Sequence, residues 1–460
     1  MSDRTRMILA TLSETRPDYR PQREPLALEE RAALGWLREA VELTESEVLT
    51  SPSQIRGFVE SLDHDQHVLV VHIPVWTEPL LTVRLAELLP LPLVLLGNTR
   101  PETSSIVGML GAGGALDQIG RRHLRIFDPG LEESRRDLFA LGAAARALRT
   151  IRGQTLGLFG GRSLGMITAT ADPAQWHQLF GVDIDQTEQS EIVALSERVP
   201  EEEVARHFHW LTSRLEGVRF GGAFTREGLL RQIRGYLAIR LLARKKGYAF
   251  IGVKCQPELS DGYASHCVAH MLCNGTFDGD GPKHLLVHAC EADADGALTM
   301  QILHLLSGGK AAALLDVRWL DVENGVWTLA NCGAMPAAFA SEAGDEAGLS
   351  RVQMVPHIFG TGGGGALPFV ATPRPVTLAR LCRKDGRYWM AALRGEVEER
   401  GAKELASTTS AFPQAFVRTG VGLDFLQSFG SNHIHMVTGD YLREVRAFCR
   451  IAGVDCRVFE

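Results

Sequence analysis

The segment KHLLVHACEADADGALTMQILHLLSGGKAAALLD, residues 283–316, is the most informative about the fold, because it contains two apolar runs separated by a helical pattern. KHLLVHAC and KAAALLD predict strands, and residues 294–306 between them predict a helix. A strand, helix and strand unit of this length predicts a right-handed crossover between parallel strands. We therefore expect an α/β fold in which Glu291, just after the first strand, and Asp316, at the end of the second, lie at one edge of one sheet.

Two carboxylates at that edge indicate a site for a cation or a shared proton, because converging like charges are costly without one. An alternative stays open for Glu291, since an acidic residue before a helix is also a common cap. The neighbouring Asp293 and Asp295 are expected to cap the helix in this way. Capping is less natural for Asp316, which is followed by VRW. A calcium-binding EF-hand loop is excluded, since Ile302 stands where such a loop needs a glutamate.

The second group of candidate ligands is the pair His433 and His435 in GSNHIHMVTGDY, residues 430–441, which is predicted as a polar loop leading to a helix. Two histidines this close raise the chance of a ligand above that of a lone histidine. In a strand, however, both would face the same side, and one could simply support the other. Two carboxylates and one imidazole form an oxygen-rich site, which suits Mn²⁺ or Mg²⁺ with a hydroxylated substrate better than structural zinc.

The rest of the chain predicts two α/β domains and a smaller β-rich domain. Strands alternate with helices over residues 1–150 and again over 151–325, which is typical of doubly wound parallel sheets. Clusters of Gly and Pro with short alternating strands distinguish residues 326–460, and a barrel is one form that such a domain takes. The predicted strands are 67–75, 91–97, 123–128, 155–161, 248–255, 387–397 and 455–459, and the predicted helices are 79–89, 105–119, 131–149 and 440–453.

Composition and charge exclude several classes of protein. The 460 residues carry a formal net charge of -7, from 48 Lys and Arg against 55 Asp and Glu, so nothing indicates a nucleic-acid partner. The N-terminus carries charges where a signal peptide needs an apolar core, and the longest apolar runs, 67–75 and 90–97, are shorter than the ~20 residues that span a bilayer. Eight cysteines without a C-x-x-C pair indicate reduced thiols. We expect a cytoplasmic protein that binds neither nucleic acid nor membrane.

A series of motifs in the second half of the chain resembles the L-fucose/L-arabinose isomerase superfamily in order and spacing. The motifs are KCQPEL (254–259), CVAHML (267–272), CEADADGAL (290–298), LLD (314–316), NCG (331–333), PVTLARL (375–381) and NHIHMVTGDY (432–441). The first half is similar to the superfamily only in general pattern. Two positions differ from many members of the superfamily. This chain has HC at 266–267 where many members have PC, and PRPVTL at 373–378 where many have a glycine. These departures bear on the substrate more than on the reaction.

The resemblance implies a fold, a metal centre and a reaction. It implies two doubly wound α/β domains followed by a C-terminal β-barrel-like domain. It also implies that Mn²⁺, or Mg²⁺ or Co²⁺, is held by Glu291, Asp316 and His433, with His435 as the alternative histidine. The two carboxylates would serve as acid and base, moving a proton between C1 and C2 of an open-chain sugar through an enediol. Members of the superfamily form trimers or hexamers, so a homo-oligomer is expected.

The substrate stays open among L-fucose or D-arabinose, L-arabinose, another pentose or deoxyhexose, and a 6-sulfonated hexose such as sulfoquinovose. A sulfonate needs cationic or amide donors, for which Arg162, Arg318 and the glycine-rich segment 360–365 are candidates. Two other functions also stay open. One is a glycosidase with Glu291 and Asp316 as its paired carboxylates. The other is a non-catalytic sugar-binding protein on the same fold.

Overall fold

A computed structural model describes residues 4–63, 65–400 and 411–460, which divide into two compact units. The first unit runs to Arg149 and includes Arg446–Gly453, and the second contains Thr150–Val445 and Val454–Glu460. The three domain ranges expected from the sequence stay a prediction. Within the described ranges, no helix is long and apolar enough to cross a membrane.

The first unit contains a five-stranded parallel sheet. Its strands are β1 (Arg6–Leu12), β2 (Glu42–Leu49), β3 (Val68–Ile73), β4 (Leu93–Gly97) and β5 (Leu124–Phe127), and its helices are α1 (Arg20–Ala32), α2 (Leu37–Ala40), α3 (Pro52–Glu60), α4 (Pro79–Leu88), α5 (Ser105–Gln118) and α6 (Glu132–Ile151). The strand order is β2-β1-β3-β4-β5, which is that of a doubly wound fold. Strands β3 and β4 are buried along their whole length, because parallel sheets are covered on both faces.

Alternate residues of β1 contribute to two separate apolar clusters. Ile8 packs in the cluster that includes Met109 of α5, whereas Met7 packs in the cluster that includes Leu138 of α6. This division follows from the period of two in a strand, which sends neighbouring side chains to opposite faces. The predicted strands 67–75, 91–97 and 123–128 and the predicted helices 79–89, 105–119 and 131–149 are confirmed.

The second unit contains a four-stranded parallel sheet, a seven-stranded sheet and two small sheets. Its strands are β6 (Thr155–Phe159), β7 (Asp183–Thr187), β8 (Gly217–Val218), β9 (Phe250–Val253), β10 (Phe277–Asp278), β11 (Gly281–Pro282), β12 (His288–Cys290), β13 (Ala312–Asp321), β14 (Val326–Ala330), β15 (Gln353–Pro356), β16 (Gly365–Ala366), β17 (Arg374–Lys384), β18 (Arg387–Val397), β19 (Gln414–Arg418), β20 (His433–Thr438) and β21 (Asp455–Phe459). Its helices are α7 (Pro173–Phe180), α8 (Gln189–Ser196), α9 (Glu201–Arg214), α10 (Arg226–Lys246), α11 (Glu258–Gly262), α12 (Cys267–Cys273), α13 (Ala294–Leu306), α14 (Asp345–Gly348) and α15 (Leu423–Ser428), and the last helix, α16 (Leu442–Ala452), passes into the first unit. Short 3-10 helices cover Ile167–Ala169, Ala337–Phe339 and Leu349–Arg351.

The parallel sheet has the order β12-β9-β6-β7, and the seven-stranded sheet has the order β17-β20-β13-β14-β19-β18-β21, with β17 also paired to β18. The pairings in the larger sheet are antiparallel except for the parallel pair β18–β21. A mixed α/β fold with parallel sheets and a C-terminal multi-stranded sheet is therefore confirmed. The predicted strands 155–161, 248–255, 387–397 and 455–459 and helices 294–306 and 440–453 are present.

The predicted crossover between parallel strands is wrong. Strand β12 belongs to the four-stranded sheet, where it pairs with β9. Strand β13 instead belongs to the seven-stranded sheet and runs antiparallel to both of its neighbours, β14 and β20. It also continues past Asp316 to Asp321. Helix α13 thus connects two different sheets. The strand and helix pattern alone does not specify which sheet each strand joins.

Candidate active site

Glu291 lies in the turn that joins β12 to α13, and the backbone of this turn is unusual. Glu291 has a φ of 59° and Ala292 a φ of 49°, so two consecutive residues with side chains occupy the left-handed region. Such conformations cost about 1–3 kcal/mol each and concentrate at functional sites. Glu291 is only 8% exposed, and its carboxylate lies beside His433. A strained turn therefore holds a buried acidic side chain next to an imidazole.

Asp316 lies inside β13 and has a neighbouring strand on each side. It stands opposite Ala330 of β14 and opposite His433 of β20. The pairing with β14 shifts register just after Asp316, and such irregularities are common next to active sites. The amide of Asn432 donates a hydrogen bond to Oδ1 of Asp316, at 3.1 Å. Burial raises the pKa of Asp316, the charge of His433 opposes this rise, and the charge of Glu291 adds to it.

The two histidines lie in strand β20, not in the predicted loop. Nε2 of His433 is 3.5 Å from Oε2 of Glu291 and 3.6 Å from Oδ1 of Asp316. This nitrogen is buried and has no hydrogen-bond partner in the described part of the chain. The structure therefore brings Glu291, Asp316 and His433 together, although not by the parallel crossover that the sequence suggested.

The other nitrogen of His433 is held by Asp293. Nδ1 of His433 lies 2.7 Å from Oδ2 of Asp293. Oδ1 of Asp293 also accepts a hydrogen bond from the backbone N–H of Gly296, at 2.9 Å, so Asp293 caps α13 as expected. Burial alone would lower the pKa of His433, but the carboxylates of Asp293 and Glu291 outweigh burial and raise this pKa to about 10. A carboxylate on Nδ1 fixes the ring orientation and leaves Nε2 as the ligand nitrogen.

Arg380 anchors Asp293 from strand β17. Its guanidinium donates from both Nη atoms to the two carboxylate oxygens of Asp293, and Nη2 also donates to the carbonyl oxygen of Thr168 at 2.6 Å. Arg380 is 1% exposed and Asp293 is fully buried. Burial acts to raise the pKa of Asp293, but the charges of Arg380 and His433 hold it well below its usual value. The result is a buried, charged, bidentate pair behind the imidazole.

Asp295 is the centre of a second buried contact group. Its Oδ1 accepts hydrogen bonds from the phenol of Tyr388 at 2.8 Å and from the indole N–H of Trp176 at 3.1 Å. Arg383 Nε lies 3.5 Å from Oδ2. Burial raises the pKa of Asp295 to about 7, even though Arg380, Tyr388 and Arg383 act to lower it. Asp295 thus lies in the first turn of α13 and, unlike Asp293, does not provide its N-cap; its carboxylate bonds Tyr388 and Trp176 instead.

The chemistry of the three converging side chains fits a hard divalent cation. Glu291 and Asp316 offer oxygen ligands, and Nε2 of His433, which makes no hydrogen bond to any described residue, lies between them. Arg380 balances the charge of Asp293, so a cation that displaced the proton from Nε2 would meet a neutral imidazole and two carboxylates. Two oxygen ligands and one imidazole with further positions open suit Mn²⁺ or Mg²⁺. Candidate metal-binding groups are thus present.

His435 occupies a different environment from His433. It lies two residues further along β20, opposite Leu314 and Ala379, and is fully buried. Its Nδ1 lies 3.3 Å from the carbonyl oxygen of Ala379, and burial lowers its pKa well below the usual value. His435 packs against the first turn of α13, since a β-carbon placed on Gly296 would lie only 2.7 Å from Nε2 of His435. These contacts with the backbone of β17 and with α13 favour a supporting role for His435.

The three candidates for binding a sulfonate have different surroundings. Arg318 lies near the carboxylate pair, with Nε 3.9 Å from Oδ2 of Asp316, and its guanidinium stacks over the ring of Phe412. Arg162 is exposed. Amides of the glycine-rich segment 360–365 already donate to protein groups, for example from Gly362 to the carbonyl oxygen of Ser260. Arg318 is therefore the candidate that the structure brings next to the site.

The chain is similar to known sugar isomerases. Residues 329–459, which include Arg380 and His433, match the family described as L-fucose isomerase, C-terminal domain. A sulfoquinovose isomerase from Alkalicoccus urumqiensis is 21% identical over 418 residues, covering 88% of this chain and 89% of the relative. Sulfoquinovose isomerases from Priestia aryabhattai and Priestia megaterium are each 20% identical over 442 residues, covering 93% of this chain and 94% of the relative.

These similarities support a relationship to the L-fucose isomerase-like superfamily. The resemblance expected from the motifs is confirmed, and the motifs PVTLARL and NHIHMVTGDY lie inside the matched C-terminal domain.

Sequence reasoning missed the contribution of Arg380. The arginine interrupts the apolar run of β17, and a charge in a buried strand requires a partner. That pattern could have predicted a buried ion pair, although not its partner. Asp293 was recognised only as a helix cap, whereas it also orients His433.

Proposed function

We propose that this protein is a metal-dependent aldose–ketose isomerase that acts on an open-chain sugar through an enediol. The observation that carries the proposal is the convergence of Glu291 and Asp316 on Nε2 of His433, which is buried and makes no hydrogen bond to any described residue. The match to the L-fucose isomerase C-terminal domain and the names of the three relatives support the same reaction class. We also propose that the C-terminal seven-stranded sheet closes into a barrel-like form through the additional pairing of β17 with β18.

Glu291, Asp316 and His433 would hold Mn²⁺, or Mg²⁺ or Co²⁺. When bound, a divalent ion would act as a Lewis acid and stabilise the negative charge that develops on the sugar oxygens during isomerisation. The chain's own residues prepare this binding. Asp293 orients the imidazole through Nδ1, and Arg380 fixes Asp293, so Nε2 points at the two carboxylates before any ligand arrives.

The carboxylates of Glu291 and Asp316 also supply the acid and base. One removes the proton from C2 of the aldose, and the proton is returned at C1 of the enediol to give the ketose. Positioned proton transfer of this kind contributes typically about 10²–10⁴-fold in rate. Burial and the neighbouring Glu291 raise the pKa of Asp316, which brings this carboxyl closer to the range where it can exchange protons near neutral pH.

A sulfonated hexose is the substrate that we favour, with sulfoquinovose as the specific candidate. The three relatives named above are sulfoquinovose isomerases. The guanidinium of Arg318, near Asp316 and stacked on Phe412, is a cation that could bind the sulfonate. Replacing Arg318 by Gln should therefore raise KM for sulfoquinovose more than KM for glucose.

The proposal is tested with protein that has been stripped by EDTA and then supplied with Mn²⁺, Mg²⁺ or Co²⁺. The samples are mixed with sulfoquinovose, glucose, L-fucose and L-arabinose, and the appearance of ketose is followed by NMR. We expect metal-dependent conversion of sulfoquinovose. No conversion of any sugar, in a sample whose metal content has been measured, would contradict the proposed function. Release of a free sugar from a glycoside without metal would support a glycosidase instead.

A further inference from the structure

A group of buried thiols lies directly behind the Glu291 carboxylate. Cys290, the last residue of β12, and Cys332, just after β14, are each less than 10% exposed. Their Sγ atoms and a carboxylate oxygen of Glu291 all lie within 4.8 Å of one another. Neither cysteine is in a disulfide. Two sulfur ligands and one oxygen ligand therefore converge on one point, which differs from the point shared by Asp316 and His433.

The surroundings of Cys332 keep this point fixed. The side chain of Asn331 accepts hydrogen bonds from the backbone N–H groups of Gly333 and Ala334, both at 3.1 Å, which holds the turn that carries Cys332. Gln256 donates from Nε2 to the Cys332 sulfur at 3.6 Å.

Gly333, which follows Cys332, leaves room for two further side chains. A β-carbon at Gly333 would lie 2.3 Å from Sγ of Cys267 and 2.6 Å from Nε2 of His357. A further thiol and an imidazole thus lie against the turn that carries Cys332.

We infer that Cys290, Cys332 and Glu291 form a second metal site, which takes a thiophilic divalent cation such as Zn²⁺ or Cd²⁺. Thiolate ligands select such ions over Mn²⁺ and Mg²⁺, which prefer oxygen. Zinc binds sulfur at about 2.3 Å and carboxylate oxygen at about 2.0–2.2 Å, so its ligand atoms stand about 3.3–3.8 Å apart. Atoms within 4.8 Å of one another reach this geometry by small side-chain movements.

The shared ligand gives the site a consequence for activity. Glu291 is needed at both sites, so a thiophilic ion bound to Cys290 and Cys332 would withdraw Glu291 from Asp316 and His433. The expected result is inhibition of the isomerase by Zn²⁺ or Cd²⁺. This consequence, although not the binding itself, rests on the proposed function.

The direct test is a Cd²⁺ titration of chelator-treated full-length protein, with the thiols kept reduced by a phosphine. We expect a thiolate-to-cadmium charge-transfer absorption that saturates at one equivalent in the wild type, since only sulfur ligands give this band. The band should be lost, or the affinity lowered by about 10–100-fold or more, in Cys332→Ser and in Cys290→Ala. Cys456→Ser, a change at a partly exposed cysteine on β21, is the matched control and should keep the band.

Two outcomes would overturn the inference. One is the absence of the band in the wild type. The other is a band that survives in both Cys290→Ala and Cys332→Ser but disappears in Cys267→Ser, which would place the ion elsewhere. Far-ultraviolet circular dichroism identifies any variant that fails to fold, and two independent variants keep the test decisive. Because the absorption needs no sugar, it is read separately from isomerase activity. In active enzyme loaded with Mn²⁺, Cys332→Ser should need about tenfold more Zn²⁺ for the same fractional inhibition.

Discussion

Asp316 and His433 stand directly opposite each other in the antiparallel pairing of β13 with β20, and Nε2 of His433 lies 3.6 Å from Oδ1 of Asp316. Side chains at opposed positions of neighbouring strands lie on the same face of the sheet. The register of one strand pair therefore fixes two of the three proposed ligands. The third, Glu291, comes from the other sheet through the strained turn before α13.

Replacing either proposed acid–base carboxylate should abolish activity and leave the fold intact. Glu291→Gln and Asp316→Asn each keep the size of the side chain but remove its charge, so both metal binding and proton transfer fail. We expect kcat/KM to fall by at least about 10²-fold in each variant. Initial rates and far-ultraviolet circular dichroism measure the two properties, and Glu396→Gln, at an exposed position on β18, is the control. Near-wild-type turnover in either variant would remove that residue from the mechanism.

Asp293 is expected to set the affinity for the metal without touching it. In Asp293→Asn the neutral amide is a weaker acceptor for the hydrogen bond from Nδ1 of His433, so the orientation and tautomer of this imidazole are no longer fixed. Loss of such a partner typically weakens metal binding by about 10–100-fold. Calorimetric titration with Mn²⁺ measures the change. Asp321→Asn, at the far end of β13, should bind as the wild type does, and equal affinity in the two variants would argue against the role of Asp293.

Arg380 is expected to be essential for stability. Arg380→Ala leaves the buried carboxylate of Asp293 without its counter-charge, and breaking a buried ion pair in this way costs about 3–5 kcal/mol of unfolding free energy. Urea unfolding of the metal-free protein measures the loss. Arg394→Ala breaks the half-exposed pair of Arg394 with Asp440, where about 0–1 kcal/mol is expected. Similar losses of unfolding free energy in Arg380→Ala and Arg394→Ala would show that the buried pair contributes no more to stability than the half-exposed one.

Asp295 should make the stability of the protein depend on pH. Burial raises its pKa to about 7 in the folded protein, against about 3.9 in the unfolded chain. Because the folded pKa is the higher one, the stabilising contribution of Asp295 is present below about pH 4 and is lost as the pH rises through 7. The loss amounts to as much as about 1.4 kcal/mol per pH unit in this range.

Asp295→Asn stays neutral and can still accept hydrogen bonds from Tyr388 and Trp176. The variant should therefore gain stability relative to the wild type between about pH 5 and pH 7. Urea midpoints measured in EDTA at several pH values provide the comparison. If the urea midpoints of the two proteins changed with pH in the same way, Asp295 would not titrate as a buried carboxyl in this range.

The sequence predicted much of the local structure and singled out three candidate ligands that lie close together in the structure, but it did not predict the path by which they meet. The spacing of apolar residues predicted helix α13 and strand β18 with the same first and last residues as in the structure. The expected parallel crossover failed, because β13 pairs with β20, which lies more than a hundred residues later in the chain. Pairings between distant segments leave no local pattern in a single sequence. For the same reason, the contact of Arg380 with Asp293 could not be assigned from the sequence, although its position in an apolar strand marked it as unusual.

In the proposed mechanism, Glu291, Asp316 and His433 would hold a divalent ion, and the two carboxylates move a proton between C1 and C2 of the sugar. The most direct measurement is NMR of sulfoquinovose conversion in D₂O, with chelator-stripped wild type, with the same protein after Mn²⁺ addition, and with Glu291→Gln after Mn²⁺ addition. We predict ketose with deuterium at C1 only in the wild type with Mn²⁺. Conversion in the stripped protein or in Glu291→Gln that equals that of the wild type with Mn²⁺ would contradict a metal-dependent mechanism that uses Glu291.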